Sequence, residues 1–324
     1  MIRVEHISKT FQVARRNAGL SEAFKALFHK QYECIKALDD ISFTIDEGEM
    51  VGYIGPNGAG KSSTIKVLSG ILTPTSGSCT INGRVPWKDR IEHVQEIGVV
   101  FGQRTQLWWD VPVIDSFELI RDIYRIPEIT YRNNFEELIT LLNLEQIVRT
   151  PVRQLSLGQR MRCEIAASLL HDPKILFLDE PTIGLDAVSK IAVRDFILER
   201  NKKHRTTVIL TTHDMQDIET LTKRIILIGR GKILMDGHLE EMKKEFSDTK
   251  RLTIDYSGNR LTPWEGMKLI SDEKQHAVLD VELFHLSVSE AINQISRQVE
   301  IKDITVDGPS IDEVVARLYQ KYHI

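Results

Sequence analysis

The segment Gly55-Pro56-Asn57-Gly58-Ala59-Gly60-Lys61-Ser62 sets three glycines, a lysine and a hydroxyl at the spacing G-x-x-x-x-G-K-[ST]. An apolar β-branched run, Met50 to Ile54, precedes it, and a helical pattern, Ser62 to Leu72, follows. Glycines between a strand and a helix let backbone N–H groups turn inward on a phosphate, and the helix N-terminus adds its partial positive charge. The chemistry this suits is binding of a nucleoside triphosphate. Gly55 through Gly60 would wrap the phosphate chain, with Lys61 bridging the β- and γ-phosphates, Ser62 ligating Mg2+ and Ser63 reaching the α-phosphate.

The stretch KILFLDEPT adds a hydrolytic half: an apolar strand ending in Asp179 and Glu180. Asp179 suits the metal shell, directly or through a water, and Glu180, next in line, is the candidate general base that polarises the attacking water. These two segments leave a kinase, a GTPase and a transport ATPase open. A third segment, QLSLGQRMRCEIAASLL, begins with Ser156-Leu157-Gly158-Gln159 and continues as a helix with Met161, Ile165 and Leu169 on one face.

That third segment resembles the LSGGQ signature of ABC ATPases, placed shortly before the Asp179 strand. The resemblance covers about the first 237 residues and includes the family hallmarks in order. Gln103 matches the Q-loop glutamine, Gly184-Leu185-Asp186 the D-loop, and His213 the switch histidine after the strand TTVILTT. Leu157 departs from the family, which has glycine there in most members. The resemblance implies ATP with Mg2+ held by Ser62, Gln103 and Asp179, and catalysis by Glu180, His213 and Gln103. It also implies a homodimer, or a pair with a paralogous subunit, in which Ser156, Gly158 and Gln159 of one chain meet the ATP held by the other and Asp186 lies at the seam. The family stacks adenine on an aromatic residue near the end of the first strand, which points to Phe11, with Tyr32 as a competitor.

Within the family, FGQRTQLWWDVPVIDSF, the PTSG after the first P-loop helix and the tail ending GPSIDEVVARLY look most like ATP-binding subunits of exporters of the sodium-extrusion and drug-resistance, or viologen-type, group. Separate transmembrane permease subunits are the expected partners, contacting the chain near Gln103, Trp108 and Trp109. Of the two adjacent tryptophans, one is expected to pack inward and the other to face the partner. A polysaccharide-type exporter ATPase and a soluble ABC regulator associated with nucleic acid stand as alternatives. The first usually carries a β-sandwich tail, and the second is disfavoured by a single cassette without a long coiled-coil insertion.

The elements that must position these residues read as α/β: apolar runs alternate with helical patterns, the signature of a largely parallel core sheet. The expected fold is a P-loop NTPase cassette of ABC ATPase type, with a mixed core sheet plus helical subdomain, and a small C-terminal α+β domain. The cassette is expected over 1–238, with a polar, helix-like insertion at about 12–33 after a short first strand, IRVEHI, and a helical subdomain at about 103–170. The accessory domain would span 239–324, with strands near RLTIDY, AVLDVEL and EIKDITVD and helices near SVSEAINQIS and SIDEVVARLYQKY.

A chain of 324 residues suits two domains. Its net charge of -4 shows no electrostatic footprint for nucleic acid. Cys34, Cys79 and Cys163 are widely spaced and read as reduced small hydrophobes. No apolar run approaches the roughly 18 residues of a membrane span, and the N-terminus lacks a signal-peptide core. The resemblance, which implies separate membrane subunits, gives a peripheral location at the cytoplasmic face of the cell membrane as the expectation, with other chains crossing it.

Overall fold

In a computed structural model, which describes residues 1–14, 32–102, 104–245, 248–308 and 310–324, the chain divides into two units, Met1–Asp236 and Gly237–Ile324. The first unit runs β1 (Ile2–Ala14), β2 (Tyr32–Ile45), β3 (Met50–Ile54), α1 (Lys61–Leu68), β4 (Ser76–Ile81), α2 (Arg90–Val94) and β5 (Ile97–Phe101). It continues with α3 (Val113–Tyr124), α4 (Glu128–Leu141), α5 (Leu157–Leu169), β6 (Ile175–Asp179), α6 (Ala187–His204), β7 (Thr207–Thr211), α7 (Met215–Leu221), β8 (Arg224–Gly229) and β9 (Lys232–His238).

Six of these strands form one sheet in the order β5-β6-β7-β3-β8-β9, parallel from β5 through β8. Strands covered on both faces need apolar side chains at every position rather than at alternate ones. β6 and β7 meet that demand: Ile175, Leu176, Phe177, Leu178, Val208, Ile209 and Leu210 are all buried. β8 returns through Arg230 and Gly231, both at positive φ, the backbone a tight two-residue hairpin requires. A second sheet, β2-β1-β4, is antiparallel.

The β1–β2 hairpin is longer than the sequence suggests. Pairing continues from Phe11↔Ile35 to Ala14↔Tyr32, so Gln12, Val13 and Glu33, assigned above to a helix-like insertion, are strand. Helical periodicity in the basic stretch masked this, because a ladder already set by the buried half of a hairpin extends through backbone hydrogen bonds whatever the outward side chains are. Residues 15–31, which include the SEAFKALFHK segment, lie outside the described residues.

The second unit contains α8 (Leu239–Glu245), β10 (Thr249–Ser257), β11 (Met267–Glu273), β12 (His276–Glu282), α9 (Val288–Ser296), β13 (Glu300–Asp307) and α10 (Ile311–Lys321). Its four strands form an antiparallel sheet in the order β11-β12-β10-β13. Alternate residues Leu252, Ile254 and Tyr256 of β10 and Ala277, Leu279 and Val281 of β12 build one core face, against which Ala291 and Ile295 of α9 pack. Arg251 ties α10 to the sheet, pairing with Asp280 at 2.8 Å and with Glu313. β11 is a strand the sequence reading does not contain. Its turn into β12 is made by Lys274 and Gln275, both at positive φ, without the Asn-Gly or Asp-Gly pair that announces such a turn. Among the described residues no helix is long and apolar enough to cross a membrane.

Leu279 is fully buried at the centre of that face. Leu279→Ala should destabilise the second unit by about 3 kcal/mol, as deletion of a core leucine does, read as a lowered denaturation midpoint; an unshifted midpoint would contradict this packing.

Candidate functional site

Four adjacent parallel strands deliver the chemistry to one edge of the large sheet. β5 ends at Phe101, β6 at Asp179, β7 at Thr211, and β3 runs directly into the glycine loop. Register makes the alignment exact to the residue pair, since Phe101 lies opposite Asp179 and Asp179 opposite Thr211. The carboxyl ends of parallel strands are where such sheets bind ligands.

The glycine loop is shaped by close approach. A Cβ on Gly55 would lie 2.2 Å from the Ile228 carbonyl oxygen, and one on Gly60 would lie 2.7 Å from that of Ala37. Gly60 also has φ 116°, at the N-terminus of α1. With no side chain at Gly55, Gly58 or Gly60, the Pro56–Asn57–Gly58–Ala59 turn exposes backbone rather than side-chain bulk. Lys61 is buried, its Nζ donating to the carbonyls of Gly55 at 2.6 Å and Pro56 at 3.2 Å. Burial lowers the Lys61 pKa, while the nearby carboxylates of Glu180 and Asp179 act in the opposite direction. Ser62 lies in a cleft of about 290 Å3 with Lys66, Phe101, Gly102, Asp179 and Glu180; Ser63 follows on the first turn of α1.

Asp179 accepts a hydrogen bond from the Thr211 hydroxyl, which orients one of its oxygens. Sequence reasoning passed over Thr211, although a threonine at the end of the next strand was the available signal. Glu180 adopts φ 58°, a conformation disfavoured for a residue with a Cβ, and its N–H donates to the Thr211 carbonyl at 2.8 Å. Its carboxylate Oε1 stands 3.1 Å from Nε2 of His213. A carboxylate held by an imidazole beside a buried ammonium suits proton abstraction from a water at the mouth of the cleft.

Ser156 caps α5 reciprocally: its hydroxyl accepts from the Gln159 N–H at 3.2 Å, and the Gln159 side chain accepts from the Ser156 N–H at 2.9 Å. Gln159, grouped above with the nucleotide contacts, thus has its side-chain oxygen turned back on its own helix. Gly158 lies against α6, where a Cβ would be 2.7 Å from the Ser189 hydroxyl, and Asp186 caps α6 by accepting from Ser189 N–H at 2.9 Å. Leu157, the departure from the family pattern, is partly exposed and reaches Gly184. Signature and D-loop therefore form one surface within a single chain.

Gln103 lies outside the described residues. Just beyond it, the carboxylate of the buried Glu164 on α5 holds the chain, accepting from the Thr105 hydroxyl and from Gln106 N–H at 3.1 Å. The expectation that one tryptophan packs inward is corrected here: Trp108 is 47% exposed and Trp109 is 49% exposed, whereas Leu107, at 3%, is the residue that turns into the core. The Arg160 guanidinium lies 5.9 Å from the centre of the Trp109 ring, which supports that ring on the surface. Phe11 is half-buried on β1 opposite Ile35, with the Lys9 ammonium 5.3 Å from its ring centre. It is a short way along the hairpin from Leu38, which touches Gly60. The side chain of Tyr32 lies outside the described residues.

These features fit a Mg2+-nucleotide. The loop is held at Gly55 and Gly60 by contacts that admit no side chain, Lys61 donates to loop carbonyls that a phosphate would replace, and Ser62 and Asp179 supply hard oxygens of the kind Mg2+ takes. Lys61→Ala should weaken ATP binding about tenfold or more, measured by titration with a fluorescent analogue; wild-type affinity would remove Lys61 from the phosphate site.

A family model described as "ABC transporter" matches residues 38–183. The ABC transporter ATP-binding protein NatA of Bacillus subtilis (strain 168) is 32% identical, over 66% of this chain and 87% of its own length. The probable sulfate/thiosulfate import ATP-binding protein CysA of Chlorella vulgaris is also 32% identical, over 68% of this chain and 92% of its own. Among solved structures, the dimeric post-hydrolysis state of the ATP-binding cassette MJ0796 bound to ADP and Pi is 27% identical and matches with a TM-score of 0.62, over 74% of this chain and 99% of that one. The architecture thus agrees with that of a solved ATP-binding cassette, and the chain belongs to the ATP-binding proteins of the ABC transporter family, ATPases that work on ATP with Mg2+.

Proposed function

We propose that this chain powers an exporter from the cytoplasmic face of the cell membrane, as a homodimer or with a paralogous subunit, through separate transmembrane permeases. Its own residues divide the work. The Gly55–Gly60 backbone, Lys61 and Ser63 hold the phosphates; Ser62 and Asp179, with Gln103, hold the metal, and Phe11 stacks on the base. Mg2+, when bound, supplies charge neutralisation on the β- and γ-phosphates. Glu180 takes the proton of the attacking water, and His213, fixed against Glu180 at 3.1 Å, orients both. Ser156, Gly158 and Gln159 of the second copy close over the γ-phosphate with the N-terminus of α5, and Asp186 lies at the seam.

The contact between Glu180 and His213 beside the glycine loop is the observation that carries hydrolysis. Glu180→Gln should leave ATP affinity within about threefold, lower turnover by about a hundredfold or more, the contribution of a general base, and accumulate an ATP-bound dimer. Unchanged turnover would take the base role from Glu180.

Exposed Trp108 and Trp109 support the permease contact, since an aromatic pair with polar tips suits the centre of a protein interface. Export rests on the resemblance of that stretch and of the tail, whose four-stranded α+β unit is no β-sandwich. The identity to CysA favours import as a second reading. Purification from gently solubilised membranes, followed by identification of the accompanying chains, decides between them and against a soluble role. Ala at both Trp108 and Trp109 should lose those chains while keeping ATP binding; retention of the permease would end the coupling role.

A further inference from the structure

Asp217, on the first turn of α7, has no exposed surface. Its Oδ2 accepts hydrogen bonds from two threonine hydroxyls, those of Thr182 and, at 3.1 Å, of Thr212. Its Oδ1 accepts from Arg194 Nε at 2.6 Å. The three donors are themselves buried, and each belongs to a different part of the site. Thr182 follows Glu180 in the loop after β6, Thr212 immediately precedes His213, and Arg194 lies on α6, the helix whose N-terminus Asp186 caps. Arg194 and Lys190 also pair with Asp214, which caps α7, so the two helices are joined at a second point.

We propose that Asp217 is a positioning residue for hydrolysis: a single buried carboxylate that clamps the loop of Glu180 to the loop of His213 and sets the distance between them. The proposal rests on Glu180 and His213 acting in hydrolysis as described above. Glu180 holds its left-handed backbone because its surroundings over-determine it: its N–H donates to the Thr211 carbonyl, its own carbonyl accepts from Ile183 N–H at 3.3 Å, and Thr182, two residues on, is held by Asp217. Thr182 on Asp217 is the side-chain tie from this loop to α7, and its release frees the loop to relax while the glycine loop, on the other side of β7 and tied to β2 and β8, stays in place. ATP binding and turnover are therefore separable at this point. A carboxylate buried with an arginine is retained at a desolvation cost, which a purely apolar filling of the same space would avoid.

Asp217→Asn leaves Arg194 buried beside a neutral group and threatens folding, so the test uses the threonines. Thr182→Val and Thr212→Val keep the volume and remove one hydroxyl each, while Thr182→Ser and Thr212→Ser keep the hydroxyl. Turnover is expressed per nucleotide-binding site, counted by equilibrium titration, so that loss of folded protein does not register as loss of kcat. The expected result is kcat lowered about tenfold or more in each valine variant, KM for ATP within about twofold, recovery of most of the rate in the serine variants, and a double valine variant less impaired than the product of the singles, because both hydroxyls act through one carboxylate. Wild-type kcat per site in the valine variants, or a KM that rises as kcat falls, overturns the proposal. If Glu180→Gln keeps its turnover, the base assignment fails first; if Glu180→Gln is inactive and the valine variants are not slowed, the clamp alone fails.

Discussion

The path of the chain between β3 and α1 is set by contacts that leave no room for a side chain at either end: Gly55 against the Ile228 carbonyl and Gly60 against that of Ala37. Ala59 O accepts from Gly231 N–H at 2.8 Å, and Gly231 O accepts from Asp39 N–H at 2.8 Å. Those bonds tie the loop to the β8–β9 turn and that turn to β2. The junction joins the two sheets of the first unit through the candidate phosphate loop. Preorganisation of this kind lowers the ordering cost that binding would otherwise carry.

Around that junction, chemistry is arranged by register more than by local structure. Parallel pairing puts Phe101, Asp179 and Thr211 in one row, so a candidate metal ligand and candidate base at the end of β6 meet a histidine from the distant segment after β7. Glu180 holds a left-handed backbone, and the neighbouring polar groups Thr182, Thr212 and Asp217 form a hydrogen-bonded network in a setting where an unpaired group would be costly.

How much of this was legible depends on whether a signal is local. Gly55 to Ser63, Asp179 and Glu180 each carry a spacing or a strand end that states its own purpose, and α5 announces itself by period and by the Ser156–Gln159 cap. The β1–β2 extension did not, because its outer half is exposed and its side chains follow no strand alternation. β11 did not, because Lys274 and Gln275 make a tight turn without turn residues. Trp108 and Trp109 depart from expectation for a related reason: adjacent residues of a strand would face opposite ways, whereas the chain there follows a loop pinned by Glu164, with Leu107 inward and both rings outward.

The sequence by itself determined the family and the fold class and supplied the candidate phosphate loop and acidic pair, since each rests on residues near one another in the chain. The tertiary structure alone decided which groups face each other across strands: the Glu180–His213 contact, the hydroxyl of Thr211 on Asp179, and the convergence of two threonines and an arginine on Asp217. Those partners come from β6, β7, α6 and α7, and the meeting of side chains so far apart in sequence is fixed only by sheet register and helix packing, which no short motif encodes.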